Sequence, residues 1–349
     1  MSDEAEWTLK RLMSDVVGSG PKSAEDMTRT QARAAMERIL AGDPAPTTLG
    51  AFWLANRWKR NTPTELAAYV DVLEERSVLR EEPSADPLDC GANYDGKHST
   101  ALLGVAAGVV AAAAGTPVVV HSGDRVPTGR NPAYKHVLDE LGVRTDVGPG
   151  ESADMVDDVG VGFYYQPRFN PGVHGLLARR DEMGVRTFLN TVETLANPAG
   201  ASAHLGSFYH LSFAKRVVDT VQESETSAFD RVVMFQGLEG YDDIRPGATA
   251  VAEYEEEFDD FEIATEEYGM DFERADLEVD DVAADSAAIT ESVLAGDRTD
   301  QFANAVALNA AFRIYARGDV GSLRAGLDDA RAAIDDGSAA AVLSDLQSF

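Results

Sequence analysis

A glycine-bounded loop that feeds an apolar helix and then a β-branched strand constrains this chain more than any other feature. The loop is Asp89-Cys-Gly-Ala-Asn-Tyr-Asp-Gly-Lys-His-Ser-Thr100. It leads into Ala101–Gly115, an apolar run that reads as a helix with a glycine stop. Pro117-Val-Val-Val-His121 follows as a short buried strand, and Ser122-Gly-Asp124 as a second small polar loop. A glycine loop that opens a helix leaves backbone N–H groups for an anion, and the helix dipole adds to the attraction. Lys97, Ser99 and Thr100 place a cation and two hydroxyls at the same end, so the stretch is expected to cradle phosphate. In open α/β sheets ligands gather outside the carboxyl ends of strands, which the second loop also marks. The same glycines and Ser99 equally suit a plain turn and helix cap.

A chain of 349 residues with 44% hydrophobic content can bury a sizeable core and divide into two domains. Sixty acidic residues against thirty basic ones give a formal charge of −30, and only six of the basic residues are lysines. An acidic, lysine-poor surface over an ordinary core suggests adaptation to high salt, where solvated carboxylates maintain solubility. That charge disfavours nucleic acid and anionic membranes, which both require cationic contacts. Cys90 is the only cysteine, which excludes an intrachain disulfide or a cysteine-based metal centre. The N-terminus lacks a basic stretch followed by an apolar one, and the apolar run Val105–Ala114 is too short to span a bilayer. A cytoplasmic location without membrane partners is therefore expected.

Before the central loop the chain reads as helical. Segments 7–18, 23–42, 49–60 and 64–75 carry helical patterns, and Thr62-Pro63 supplies a cap and first turn. Beyond it, candidate strands (117–121, 160–165, 203–208, 231–235) alternate with helices, which predicts an α/β core. The acid-rich stretch 251–285 has the alternation of twisted surface strands. The expected architecture is a small helical domain over residues 1–82 and a large α/β domain over 83–349. The larger domain should hold a central mixed sheet flanked by helices.

In that order the sequence resembles the anthranilate phosphoribosyltransferase family, which shares its wider fold with pyrimidine-nucleoside phosphorylases. Three stretches carry the resemblance: Gln31–Gly42 with Ala51–Arg57, Arg186-Thr-Phe-Leu-Asn190 continuing to Leu195-Ala-Asn-Pro-Ala-Gly200, and Ala307–Ala311 with Ser322–Ile334. The resemblance implies an enzyme that moves 5-phosphoribosyl from phosphoribosyl pyrophosphate (PRPP) to the amine of anthranilate. It also implies Mg2+ as cofactor, helices near 172–195 that join the helical domain in space, and a homodimer formed through that domain. By the same resemblance, Gly91, Asp95 and Gly96 join Lys97, Ser99, Thr100 and His121 in binding PRPP. Arg180, six residues before Arg186, is expected to hold the acceptor carboxylate. Glu239, with Asp242 and Asp243 just beyond it, is expected to face the metal. The family's glycine motif stands here as Gly91-Ala-Asn-Tyr-Asp95, which places the Tyr94 ring where backbone should meet pyrophosphate, and its serine-rich loop is replaced by 125–130. Lys97-His-Ser-Thr100 is also similar to the phosphate tetrad of the nucleoside phosphorylases. Gly237-Leu-Glu-Gly240 is similar to a nucleic-acid-binding branch, against which the −30 charge weighs.

Overall fold

The computed structural model describes residues 7–18, 20, 22–91, 94–124, 129 and 131–349. The chain starts with a short helix, Leu9–Leu12, that continues as a π turn over Met13–Val17. Three longer helices follow: α1 (Arg29–Leu40), α2 (Pro46–Lys59) and α3 (Pro63–Arg76). Reciprocal capping fixes two of their starts. Thr28 pairs with Gln31 and Thr62 with Glu65, each side chain satisfying the other residue's N–H. The Thr28 cap is why the helix expected from Ser23 begins only at Arg29.

A seven-stranded sheet forms the body of the remaining chain. Its strands are β1 (Leu88–Cys90), β2 (Val118–Ser122), β3 (Val161–Tyr165), β4 (Ala203–Phe208), β5 (Arg231–Gln236), β6 (Ala248–Tyr254) and β7 (Phe258–Ala264). They lie in the order β3-β2-β1-β4-β5-β6-β7, with the first five parallel and the last two antiparallel. This is the helical domain and mixed, helix-flanked sheet that the sequence predicts. From β1 the chain steps through helix α4 (Gly104–Ala113) to β2 and then β3, and later returns to place β4 on the other side of β1. Strand order therefore reverses between β1 and β4, and the crevice at their carboxyl ends is where such sheets bind ligands.

Alternation along the strands divides the apolar residues between two cores. Val118 and Val120, with Val233 and Phe235, pack beneath α4 and the long helix α5 (Gln301–Arg317). Val119, Val232 and Met234 face the other way and join Phe52, Trp53, Tyr69 and Leu73 of the helical unit. Phe188 stacks on Tyr69 at 4.2 Å, so the segment around 187–192 is gripped by the N-terminal helices. Among the described residues no helix is long and apolar enough to cross a membrane.

Candidate active site

A pocket of about 340 Å³ opens at the strand reversal. Gly91 from the end of β1 and His204, Gly206, Ser207 and Phe208 from β4 form its floor. Phe213 and Val217 of the helix after β4 and Met234 of β5 give it an apolar wall. Arg57 of α2, Arg186 and Glu239 add two cations and a carboxylate to the lining. The helical unit thus contributes to a crevice whose base is the sheet.

Glu239 sits in a left-handed backbone conformation (φ 55°) just after β5, which turns its carboxylate back onto the central loop. One oxygen accepts from the His98 N–H at 2.8 Å and from its ring Nδ1 at 2.6 Å. The other accepts from the Ser99 hydroxyl at 2.9 Å, and from the Thr100 N–H at 2.8 Å and hydroxyl at 2.9 Å. Burial works to raise the Glu239 pKa, but these donors outweigh it and hold the carboxyl well below the usual range. The structure therefore brings Glu239, Ser99 and Thr100 together as a fixed anion beside two hydroxyls.

The open cradle expected of this loop is not what the chain builds. The Lys97 N–H donates to the Pro132 carbonyl and the Ala101 N–H to that of Leu277. The N–H groups of Leu102 and Leu103 donate to Ser286 and to Asp243. Together with the two N–H groups taken by Glu239, the donors meant for phosphate are largely satisfied within the protein. Helix α4 begins only at Gly104, beyond this knot of contacts.

Several predicted ligands lie behind the pocket rather than in it. Lys97 is fully buried, with its ammonium on the Asp243 carboxylate and the Ala101 carbonyl, so it does not reach a ligand phosphate. Asp242 is equally buried between the Tyr134 hydroxyl and Arg313, whose Nη2 lies 2.9 Å away. Burial pushes the Asp242 carboxyl up to about 6 despite the guanidinium. Neither aspartate lines the pocket. Arg180 is also interior: its two terminal nitrogens grip both oxygens of Glu193 at 2.7 Å, a closed bidentate fork. The carboxylate that Arg180 meets is internal, so the residue expected to hold the acceptor carboxylate lies off the pocket lining.

His121 is buried in the row behind the pocket, where its Nδ1 meets the Tyr94 hydroxyl. The Tyr94 ring is buried and does not line the pocket. Gly96 turns the chain at φ +71°, where a Cβ would strike the Pro132 carbonyl at 2.2 Å. Asp95 forms an ion pair with Arg186 and accepts from Asn190 at 3.4 Å, so it stands beside the pocket mouth. Of the substituted loop 125–130, only Gly129 is among the described residues.

Sequence reading passed over Asp89, His204, Glu193 and Arg57. A histidine between Ala203 and Leu205 in an otherwise apolar strand was the available signal for one of them. Among the described residues no three His, Cys, Asp or Glu side chains form a ready metal cage. A magnesium ion needs only one or two protein carboxylates when substrate phosphates supply the remaining oxygens. Glu239, an ionised carboxylate on the pocket lining, fits that requirement, and Asp242 and Asp243 lie buried behind it.

The helical unit matches the helical bundle domain of a glycosyl transferase family over residues 15–77, and the sheet matches its α/β domain over residues 90–340. Fold and pocket thus define a two-domain glycosyl transferase. The anthranilate phosphoribosyltransferase of Natronomonas pharaonis is 30% identical over 329 residues, 93% of this chain and 96% of its own. The Thermus thermophilus enzyme of that name superposes with a TM-score of 0.83 at 25% identity, covering 98% of each chain. A Saccharomyces cerevisiae anthranilate phosphoribosyltransferase in complex with PRPP and Mg shares the fold, with a TM-score of 0.80, 18% identity and 99% of each chain covered. The chain belongs to the anthranilate phosphoribosyltransferase family.

Proposed function

We propose that the chain transfers the 5-phosphoribosyl group of PRPP to the amine of anthranilate or a close aromatic relative, a step of tryptophan biosynthesis. The observation that carries this reading is the lining of one pocket, which brings together the Glu239 carboxylate, an apolar wall and the two arginines Arg57 and Arg186. The carboxylate suits Mg2+ bound with pyrophosphate, and the yeast relative solved with PRPP and Mg supports that pairing. When bound, the metal neutralises charge on the departing pyrophosphate. Glu239 would hold it, and the contacts of its carboxylate with His98, Ser99 and Thr100 fix it before substrate arrives.

The aromatic acceptor is placed against Phe208, Phe213, Val217 and Met234, with its carboxylate towards Arg186 and Arg57. This assigns to Arg186 the task expected of Arg180. Arg57 donates to the Arg186 carbonyl at 2.7 Å, which ties the helical unit to that arginine's backbone. Alignment of the amine with the anomeric carbon then supplies much of the catalysis, because departure of pyrophosphate leaves a cationic ribose that needs positioning more than covalent help. Buried Lys97 and the occupied Ser99 and Thr100 weigh against the nucleoside phosphorylase reading.

The same reading includes a cytoplasmic enzyme divided near residue 82, with no nucleic-acid partner. It also includes a homodimer through the helical domain, supported by the 73% exposure of Trp58 on α2. The test is loss of anthranilate fluorescence with PRPP at high salt, with and without chelator, beside phosphorolysis of uridine and thymidine. Metal-dependent consumption of anthranilate is the expected result. Metal-independent phosphorolysis would replace the proposal.

A further inference from the structure

We propose that His204 is the proton acceptor of this pocket and that Asp89 positions it, an inference that rests on the transfer reading above. The pair arises from strand register. Asp89 of β1 lies directly opposite His204 of β4 in the parallel ladder. On the other side Asp89 is opposite Val119 of β2, and His121, two residues further along, returns to the same face. One buried carboxylate is thereby set between two imidazoles. The Asp89 Oδ2 lies 2.7 Å from His204 Nδ1, and its Oδ1 lies 3.2 Å from His121 Nε2. The Tyr94 hydroxyl meets His121 Nδ1 at the back. Burial works to raise the Asp89 pKa, but the two imidazoles outweigh it and lower it, so the group in the middle is a carboxylate.

An ionised Asp89 accepts at Nδ1 and so fixes the His204 tautomer: the proton sits on Nδ1 and the Nε2 lone pair is left bare. His204 lines the pocket, and among the described residues its Nε2 has no hydrogen-bond partner. Gly91 keeps that edge of the ring clear, because a Cβ there would lie 2.3 Å from His204 Cε1 and 3.2 Å from Nε2. His121 is placed differently: its Nδ1 meets the Tyr94 hydroxyl, and its Nε2 lies 3.2 Å from Asp89 Oδ1 without making a hydrogen bond. Of the two imidazoles that flank Asp89, His204 is the one that lines the pocket.

The chemistry balances with this one base. The amine lone pair forms a bond to the anomeric carbon as the carbon–oxygen bond to pyrophosphate breaks, and the electron pair leaves with pyrophosphate. The extra proton on the new nitrogen passes to His204 Nε2, giving an imidazolium stabilised by Asp89. Solvent removes the proton when product leaves. The charged and titratable groups around His204 are Asp89 from β1, His121 from β2 with Tyr94 behind it, and Glu239, Tyr209, His210, Arg57 and Arg186 in the pocket.

Two variants and one spectrum test the assignment. His204→Gln should lower kcat on the order of 100-fold, the usual contribution of a positioned base, with little change in the KM for PRPP. It should also abolish the fall of kcat at low pH that protonation of the wild-type imidazole produces. Asp89→Asn keeps the shape of the carboxylate but presents an amide N–H to Nδ1. It should therefore move the His204 proton to Nε2 in a 15N imidazole spectrum and lower kcat in parallel. An active His204→Gln enzyme with the wild-type kcat and pH profile would overturn the proposal. So would a wild-type spectrum with the proton on Nε2, which is read without turnover. If the wild type consumes no anthranilate, the transfer reading fails on its own. A bare Nε2 that becomes protonated at lower pH would then still support His204 as the pocket's base.

Discussion

The charges at the rim of the pocket and those just behind it come from the same short motifs, yet they do opposite work. Glu239 and Asp243 are four residues apart; one lines the pocket as a fixed anion, while the other is buried on Lys97. Arg186 and Arg180 are six residues apart and each has a carboxylate partner; Arg186 meets Asp95 on the pocket lining and stays partly exposed, whereas Arg180 is buried on Glu193. The interior pairs organise the shell that holds the rim in place. Lys97 with Asp243 pins the central loop against the turn after β5, and Arg313 with Asp242 pins that turn to α5. The left-handed Glu239 can then reach the loop from one side while its neighbours are held from the other. Charge type in a motif therefore says little about role until burial is known.

Breaking the interior set should have the larger effect on stability. Removing one partner of a buried pair strands a charge, so Arg180→Ala and Asp243→Ala should each cost roughly 3–5 kcal/mol, read as a lower urea midpoint. Because the pair is lost together, Arg180→Met combined with Glu193→Leu should recover much of the Arg180→Ala loss. Failure to recover would mean that the fork is not the closed unit described here.

At the rim the expected effect is on turnover. Glu239→Gln replaces an oxygen acceptor with an amide that faces the donors of His98, Ser99 and Thr100. Turnover should fall roughly ten- to a hundredfold, the equivalent of one charge-assisted hydrogen bond, and half-maximal rate should need more Mg2+. An unchanged Mg2+ requirement would remove Glu239 from the metal's surroundings.

The separation between Lys97 and Asp243, 146 residues apart, shows where sequence reading stops. Local pattern was enough for the β2 strand, a β-branched run after a glycine stop, and for the Thr62-Pro63 start of α3. Strand β1 is only three residues long and was hidden in the glycine loop. The donors of that loop were visible as residue types, but their acceptors lie in 239–243, 277 and 286. No periodicity connects those positions. Arg180 met the same limit at shorter range, since Glu193 reaches it only after the turn at Gly184 and the packing of Phe188 fold the two helices together.

A smaller effect should appear in acid. Glu239 has a folded-state pKa below its unfolded one, so its contribution to stability is complete above the ordinary glutamate value of about 4.3 and declines as pH falls below it. Asp242, raised by burial, acts in the opposite direction, but equally in wild type and in Glu239→Gln. The difference in Tm between the two proteins should thus shrink below about pH 4. A difference independent of pH would show that the loop contacts do not depend on the Glu239 charge.

The most direct test of the division between rim and interior is the KM for anthranilate in Arg186→Ala. With Arg186 reading the acceptor carboxylate, KM should rise roughly ten- to a hundredfold while Tm stays close to wild type. A wild-type KM in a stable Arg186→Ala enzyme would contradict the account, because the acceptor carboxylate would then be recognised elsewhere.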